Sequence, residues 1–244
     1  MKVVLSGATG YIGSQVLSRC LEHASITEVL VLSRRDIGPL AQHPKVQVLM
    51  MKDFTSYDDP ATTAQLLTAD AAIWCLGKSS GNYKVDIEFP LAFIKAIKSR
   101  QTQGSPGKAF RYLQLSGAFT EPPPKDGQPE RPLWFFVQGR RIRGALEPTV
   151  LNESSDINGT VDVSHSSQPP FTVYLVKPGG VAPTWVPAFV MKYIIGQRLG
   201  VGIQDLAATM VDLVVCGGDQ RVFQNREIIS YANKLRENPS ASTL

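Results

Sequence analysis

The stretch "KVVLSGATGYIGSQVL", residues 2–17, decides how the rest of the chain is read. An unbroken apolar run ends in three glycines, Gly7, Gly10 and Gly13, and a helical pattern follows at once. Gly7 permits a tight turn, Gly10 lets a pyrophosphate approach the backbone, and Gly13 lets helix and strand pack closely. The helix N-terminus then faces the anion with its free N–H groups. Thr9, Tyr11 and Ile12 lie between those glycines and belong to the same predicted contact. Strand, turn, helix and a second strand follow in order, and this context makes the glycine spacing a dinucleotide-binding signal.

Outward from this unit, short apolar runs recur: "EVLVLS", "VQVLMM", "AAIWCLG", "RYLQLSG" and "TVYLVKPGG". Unbroken by polar alternation, they read as strands buried on both faces. Helical patterns at 10–22, 60–69, 87–99 and 135–147 separate several of them. The alternation predicts an α/β chain with a doubly wound parallel sheet in a single domain over residues 1–235. A Pro-rich loop at 120–132 and an apolar segment at 182–202 are predicted to border the substrate, and 236–244 to form a tail. The polar stretch 152–170 reads as a surface insertion.

Composition narrows the function. With 43% hydrophobic and 19% charged residues, the 244-residue chain is an ordinary globular one, too weakly charged to be disordered. Its net charge of +4 comes from scattered Lys and Arg residues without a basic run, so no nucleic-acid partner is expected. Three widely spaced cysteines and three histidines offer no metal-ligand spacing, and the odd cysteine count fits free thiols in a reducing, cytoplasmic setting. No leader and no apolar run of membrane-spanning length is read, so no membrane partner is expected.

About 20 residues after the glycine turn, the second strand ends in "LSRRD". An acidic residue here would bind the ribose hydroxyls of NAD, but Ser33 stands in that slot with Arg34 and Arg35 beside it. A hydroxyl and two guanidinium groups suit a 2′-phosphate, which predicts NADP as cofactor. Asp36 would take the acidic role if the turn were shifted by a few residues.

With "GATGYIG" in this setting, the chain resembles the atypical, epimerase-like branch of the short-chain dehydrogenase/reductase superfamily. The resemblance runs through nearly the whole chain and implies further cofactor contacts. Asp53 and Phe54 match the adenine site, and Leu76 and Gly77 of "CLGK" match the segment along the cofactor. Pro178 and Gly179 of "KPGGV" match the turn beside the nicotinamide. "IQDLAATMVDLV", residues 203–214, is similar to the family's late helix, and Ser116 to its substrate-orienting Ser.

The departure is catalytic. The family's reductases carry a Tyr whose phenol moves the substrate proton, with a Lys four residues later. Here no Tyr is followed by a Lys at that spacing. "RGALE" aligns Arg143 with the Lys and Gly139 with the Tyr, and a shifted register offers only Trp134 and Gln138. Beside Ser116, which would orient the substrate, the remaining proton-donor candidates are Lys78, Glu121 and Tyr83 on strand-end loops, while Lys177 offers either a burial-tuned amine or a cofactor contact. The reading is an NADP(H)-dependent oxidoreductase acting on a small hydrophobic carbonyl or hydroxyl compound. A redox-neutral isomerase, cyclase or dehydratase and a non-enzymatic NADP sensor remain open beside it.

Overall fold

The structure, a computed structural model, describes residues 1–104, 109–124, 127–154, 171–185 and 200–237. Six strands match the apolar runs: β1 (Lys2–Ser6), β2 (Glu28–Ser33), β3 (Val46–Met50), β4 (Ala71–Trp74), β5 (Phe110–Leu115) and β6 (Phe171–Lys177). Three short strands follow: β7 (Gly180–Ala182), β8 (Gly200–Gly202) and β9 (Val222–Gln224). One seven-stranded sheet runs β3-β2-β1-β4-β5-β6-β9, and every pairing in it is parallel. β7 and β8 pair separately. The order reverses between β1 and β4, so both strands open their carboxyl ends onto one crevice.

Alternation along the strands assigns the two faces. Val3, Leu5, Val29, Val31, Ile73 and Leu113 pack with helices α1 (Tyr11–Glu22), α5 (Ile203–Cys216) and α6 (Asn225–Glu237). Val4, Leu30, Leu32, Ala72, Trp74 and Tyr112 face α2 (Pro60–Leu67), α3 (Phe89–Gly104) and α4 (Val137–Asn152). Each strand residue therefore meets a helix on its own side, and most are fully buried, each contributing about 1.5–3 kcal/mol of transfer free energy. Trp74 is a core residue, edge-on to Phe54 and against Phe93.

Some boundaries differ from the sequence pattern. α4 starts at Val137 because Phe136 caps it with a left-handed backbone, φ 46°. It continues past Pro148 to Asn152, since burying Val150 completely offsets the one hydrogen bond that the proline forfeits. A π-turn, Lys84–Glu88, precedes α3. Most of the insertion at 152–170, the bulk of the apolar segment after Trp185 and the tail after Glu237 lie outside the described residues. Among the described residues, no helix is long and apolar enough to cross a membrane.

Candidate functional site

The glycine turn is shaped by backbone contacts. Gly7 leaves β1 with φ +74°, and a Cβ there would stand 2.8 Å from the Cys75 carbonyl carbon and the Leu76 nitrogen. The N–H of Gly10 donates to the Gly7 carbonyl at 2.9 Å, closing the turn, and Gly10 caps α1 without a side-chain hydrogen bond. The first N–H groups of the helix are thus left for a ligand. A Cβ on Gly10 would approach only the Gly7 oxygen, at 3.2 Å, with open space on its other sides. An uncapped helix end over an open cradle fits the pyrophosphate of a dinucleotide.

Gly10, Tyr11, Ile12 and Gly13 form one wall of a cleft of about 360 Å³, whose other walls include Leu76, Gly77, Asp86, Ser116, Arg143 and Glu147. A second lobe of about 240 Å³ shares Ile12, Ser79, Ser116 and Arg143 with it. Phe119, Phe135, Phe136, Pro178, Gly179 and Val181 line that lobe. The Arg140 guanidinium lies 4.8 Å over the Phe135 ring, so an apolar chamber with one cationic edge adjoins the glycine turn.

At the junction of the two lobes, Ser116 and Lys177, both singled out in the sequence, meet Glu147 and Thr120, to which the sequence assigned no role. Ser116 Oγ donates to Glu147 Oε1 at 2.6 Å, and Thr120 Oγ1 donates to the same oxygen at 2.8 Å. Lys177 Nζ holds the other carboxylate oxygen, Oε2, at 2.6 Å. The Glu147 and Lys177 side chains are each only 12% exposed, which makes them an ion pair largely withdrawn from water. One signal for Glu147 was available: it follows Arg143 by four residues and so shares that residue's helical face.

Arg143 serves the neighbouring wall. Its Nη2 donates to the Lys78 carbonyl at 2.6 Å, and its Nε lies 3.7 Å from the buried Asp86 carboxylate. Asp86 accepts from the N–H groups of Lys78 and Asn82, at 3.0 and 2.7 Å, tying the loop after β4 to the π-turn. Gly139, the position aligned with the family's phenol, packs directly on this loop. A Cβ there would run into the Ser79 carbonyl oxygen and come within 3.1 Å of the Gly81 nitrogen. No side chain fits at that position, and in the shifted register Trp134 is 93% exposed. Arg143→Ala is expected to loosen loop 78–82, to lower Tm by a few degrees because the buried Asp86 loses its cation, and to weaken any dinucleotide binding about tenfold; a fluorescence titration beside a melting curve checks this.

The other predicted residues are dispersed. Ser33 closes β2 beside the glycine turn, and its hydroxyl donates to the Arg35 carbonyl at 2.7 Å. Arg34 and Arg35 are exposed, and neither pairs with a carboxylate among the described residues. Asp36 accepts from the Gly38 N–H at 2.9 Å, within its own loop. Asp53 is exposed, and the Thr55 N–H at 3.0 Å leads the hydrogen bonds that hold its carboxyl below the usual range. The Phe54 ring is 2% exposed and stacks on Phe89, so it belongs to the core. The Lys78 side chain projects outward. Glu121 lies in a separate proline-walled hollow, 3.7 Å from Arg131. Neither lines the cleft beside the glycine turn.

No family model matches the chain. Leucinostatins biosynthesis cluster protein T from Purpureocillium lilacinum is 32% identical over 77 residues, a match spanning 32% of this chain and 28% of that protein. Among solved structures, an oxidoreductase from Lactococcus lactis superposes with a TM-score of 0.61 at 17% identity, covering 97% of each chain. A short-chain dehydrogenase from Burkholderia cenocepacia in complex with NADP gives 0.60 at 12% identity, over 98% of this chain and 94% of that one. The chain has the Rossmann fold of these structures. The dTDP-glucose 4,6-dehydratase of Bacillus anthracis, in complex with NAD, shares it as well, at 0.60 and 10% identity over 97% of this chain and 81% of that one. In this Rossmann fold the glycine turn lies at the β1–β4 switch point, where the sheet order reverses.

Proposed function

We propose that the protein is an NADP(H)-dependent oxidoreductase that interconverts a small apolar carbonyl compound and its alcohol. The observation that carries the reading is one cleft with the Gly10–Gly13 helix end on one wall and Ser116 on another. The bound dinucleotide would supply or accept hydride there. Ser116 would orient the reacting oxygen, and the phenylalanines of the second lobe would hold the apolar remainder of the substrate. The relative from a biosynthesis cluster agrees with a small-molecule substrate. Three free cysteines accord with a reducing, cytoplasmic setting.

NADP is favoured over NAD because Ser33 fixes the turn that presents Arg34 and Arg35, while Asp36 is engaged in its own loop. NADPH is expected to bind at least about tenfold more tightly than NADH, and Arg34→Glu to abolish the difference. A fluorescence titration of both cofactors decides it; equal affinities in the wild type refute the assignment. Substrate-dependent change in NADPH absorbance tests the redox chemistry. The blocked phenol position at Gly139 favours a second reading, redox-neutral isomerisation or dehydration, which turnover without net NADPH change would mark.

A further inference from the structure

We infer that Glu147 is the proton acceptor that replaces the absent phenol, reached through the hydroxyl of Ser116. The inference rests on the oxidoreductase reading above and assigns the proton's path within that site. Glu147 is a carboxylate whose hydrogen-bond partners among the described residues are donors: Ser116, just past β5, and Thr120, in the loop that follows, on Oε1, and Lys177 from β6 on Oε2. One turn earlier on α4, Arg143 turns its guanidinium to Asp86 and the Lys78 carbonyl, leaving Lys177 as the cation paired with Glu147. The Ser116 proton already points at Glu147, so the Ser116 oxygen keeps its lone pairs for a hydroxyl entering from the cleft.

In the oxidation direction, the alcohol O–H bond breaks and its proton passes to Ser116 Oγ, while the proton of Ser116 passes to Glu147 Oε1. The carbinol C–H bond would break with its electron pair as the C=O bond forms, and a bound NADP⁺ would supply the hydride acceptor. Glu147, on the cleft wall, then returns its proton to water. Lys177 holds Oε2 at 2.6 Å and so keeps the carboxylate oriented, which makes it a positioning residue. Reduction runs the same path backwards, with the Glu147 carboxyl as the acid.

The test uses the full chain with NADP⁺ and three alcohol probes: 1-phenylethanol, benzyl alcohol and cyclohexanol. Turnover is followed by NADPH absorbance, NADP⁺ affinity by calorimetry and integrity by thermal melting. Glu147→Gln keeps an oxygen for Ser116 but cannot take its proton, so kcat is expected to fall about 100-fold, with KM and NADP⁺ affinity within about twofold. Glu147→Asp keeps the base and is expected to stay within about tenfold of wild type. A merely structural hydrogen-bond acceptor predicts the opposite ranking, since Gln matches the length of Glu and Asp does not. If Glu147→Gln fails to fold because Lys177 is left unpaired, Glu147→Gln/Lys177→Met removes both charges and replaces it. Gln equalling or exceeding Asp in kcat overturns the relay alone. A wild type that reduces NADP⁺ with none of the probes overturns the oxidoreductase reading, and the relay with it.

Discussion

Gly13→Ala is expected to destabilise the fold by about 3 kcal/mol, lowering Tm by roughly 6–12 °C for a chain of this size. The added Cβ would stand 2.7 Å from the Gly7 carbonyl carbon, nearer still to its oxygen, and 3.3 Å from the Ala8 Cα. All three atoms are backbone, and Gly7 is itself wedged against Cys75 and Leu76, so no side chain can swing away to relieve the overlap. The strand, the turn and α1 would have to separate, taking Val16 and Leu17 from their buried positions. Denaturant and thermal unfolding measure the change. A variant as stable as wild type would show that the close approach of α1 to the turn has been misjudged.

Gly10→Val is expected to do the reverse: fold normally and lose the dinucleotide, with NADPH affinity reduced at least about 100-fold, or ~2.7 kcal/mol. Gly10 has φ −81° and ψ 169°, a conformation open to any residue, and its Cβ meets only the Gly7 oxygen, at 3.2 Å. The cost in stability is therefore small beside that of Gly13→Ala, about 1 kcal/mol for a valine at the helix N-cap whose Cβ presses the Gly7 carbonyl. The branched side chain would fill the space over the helix end where a pyrophosphate receives the first N–H groups of α1. A calorimetric titration beside a melting curve separates the two effects, and undiminished binding would remove the glycine turn from the site. Two glycines three residues apart are thus predicted to fail in different ways, one through packing and the other through ligand access.

The same division separates what could be read along the chain from what could not. Six of the seven strands of the main sheet were legible, because burial on both faces demands apolar residues at consecutive positions, as in Val3, Val4 and Leu5. Their parallel order followed from the intervening helices. The strand Val222–Gln224 was not legible, since three residues at a sheet edge carry no periodicity. Gly7, Gly10 and Gly13 could be read because their roles depend on neighbours within one turn.

Glu147 could not be read in this way. On the chain it looks like the last residue of a helix before Pro148. It becomes a buried carboxylate only because α4 continues through that proline and lies against the ends of β5 and β6, bringing Ser116 from 31 residues away and Lys177 from 30. Likewise, the chain shows that Gly139 is not a Tyr, but only packing shows that the backbone of Ser79 and Gly81 closes that position to any side chain. By itself, the sequence determined the layer order, the glycine turn and the absence of any Tyr followed by a Lys at four residues, all properties of local pattern and covalent identity. The tertiary structure decided which charges meet, since desolvated ion pairs such as Lys177–Glu147 form where separate elements converge and leave no local periodicity in the chain.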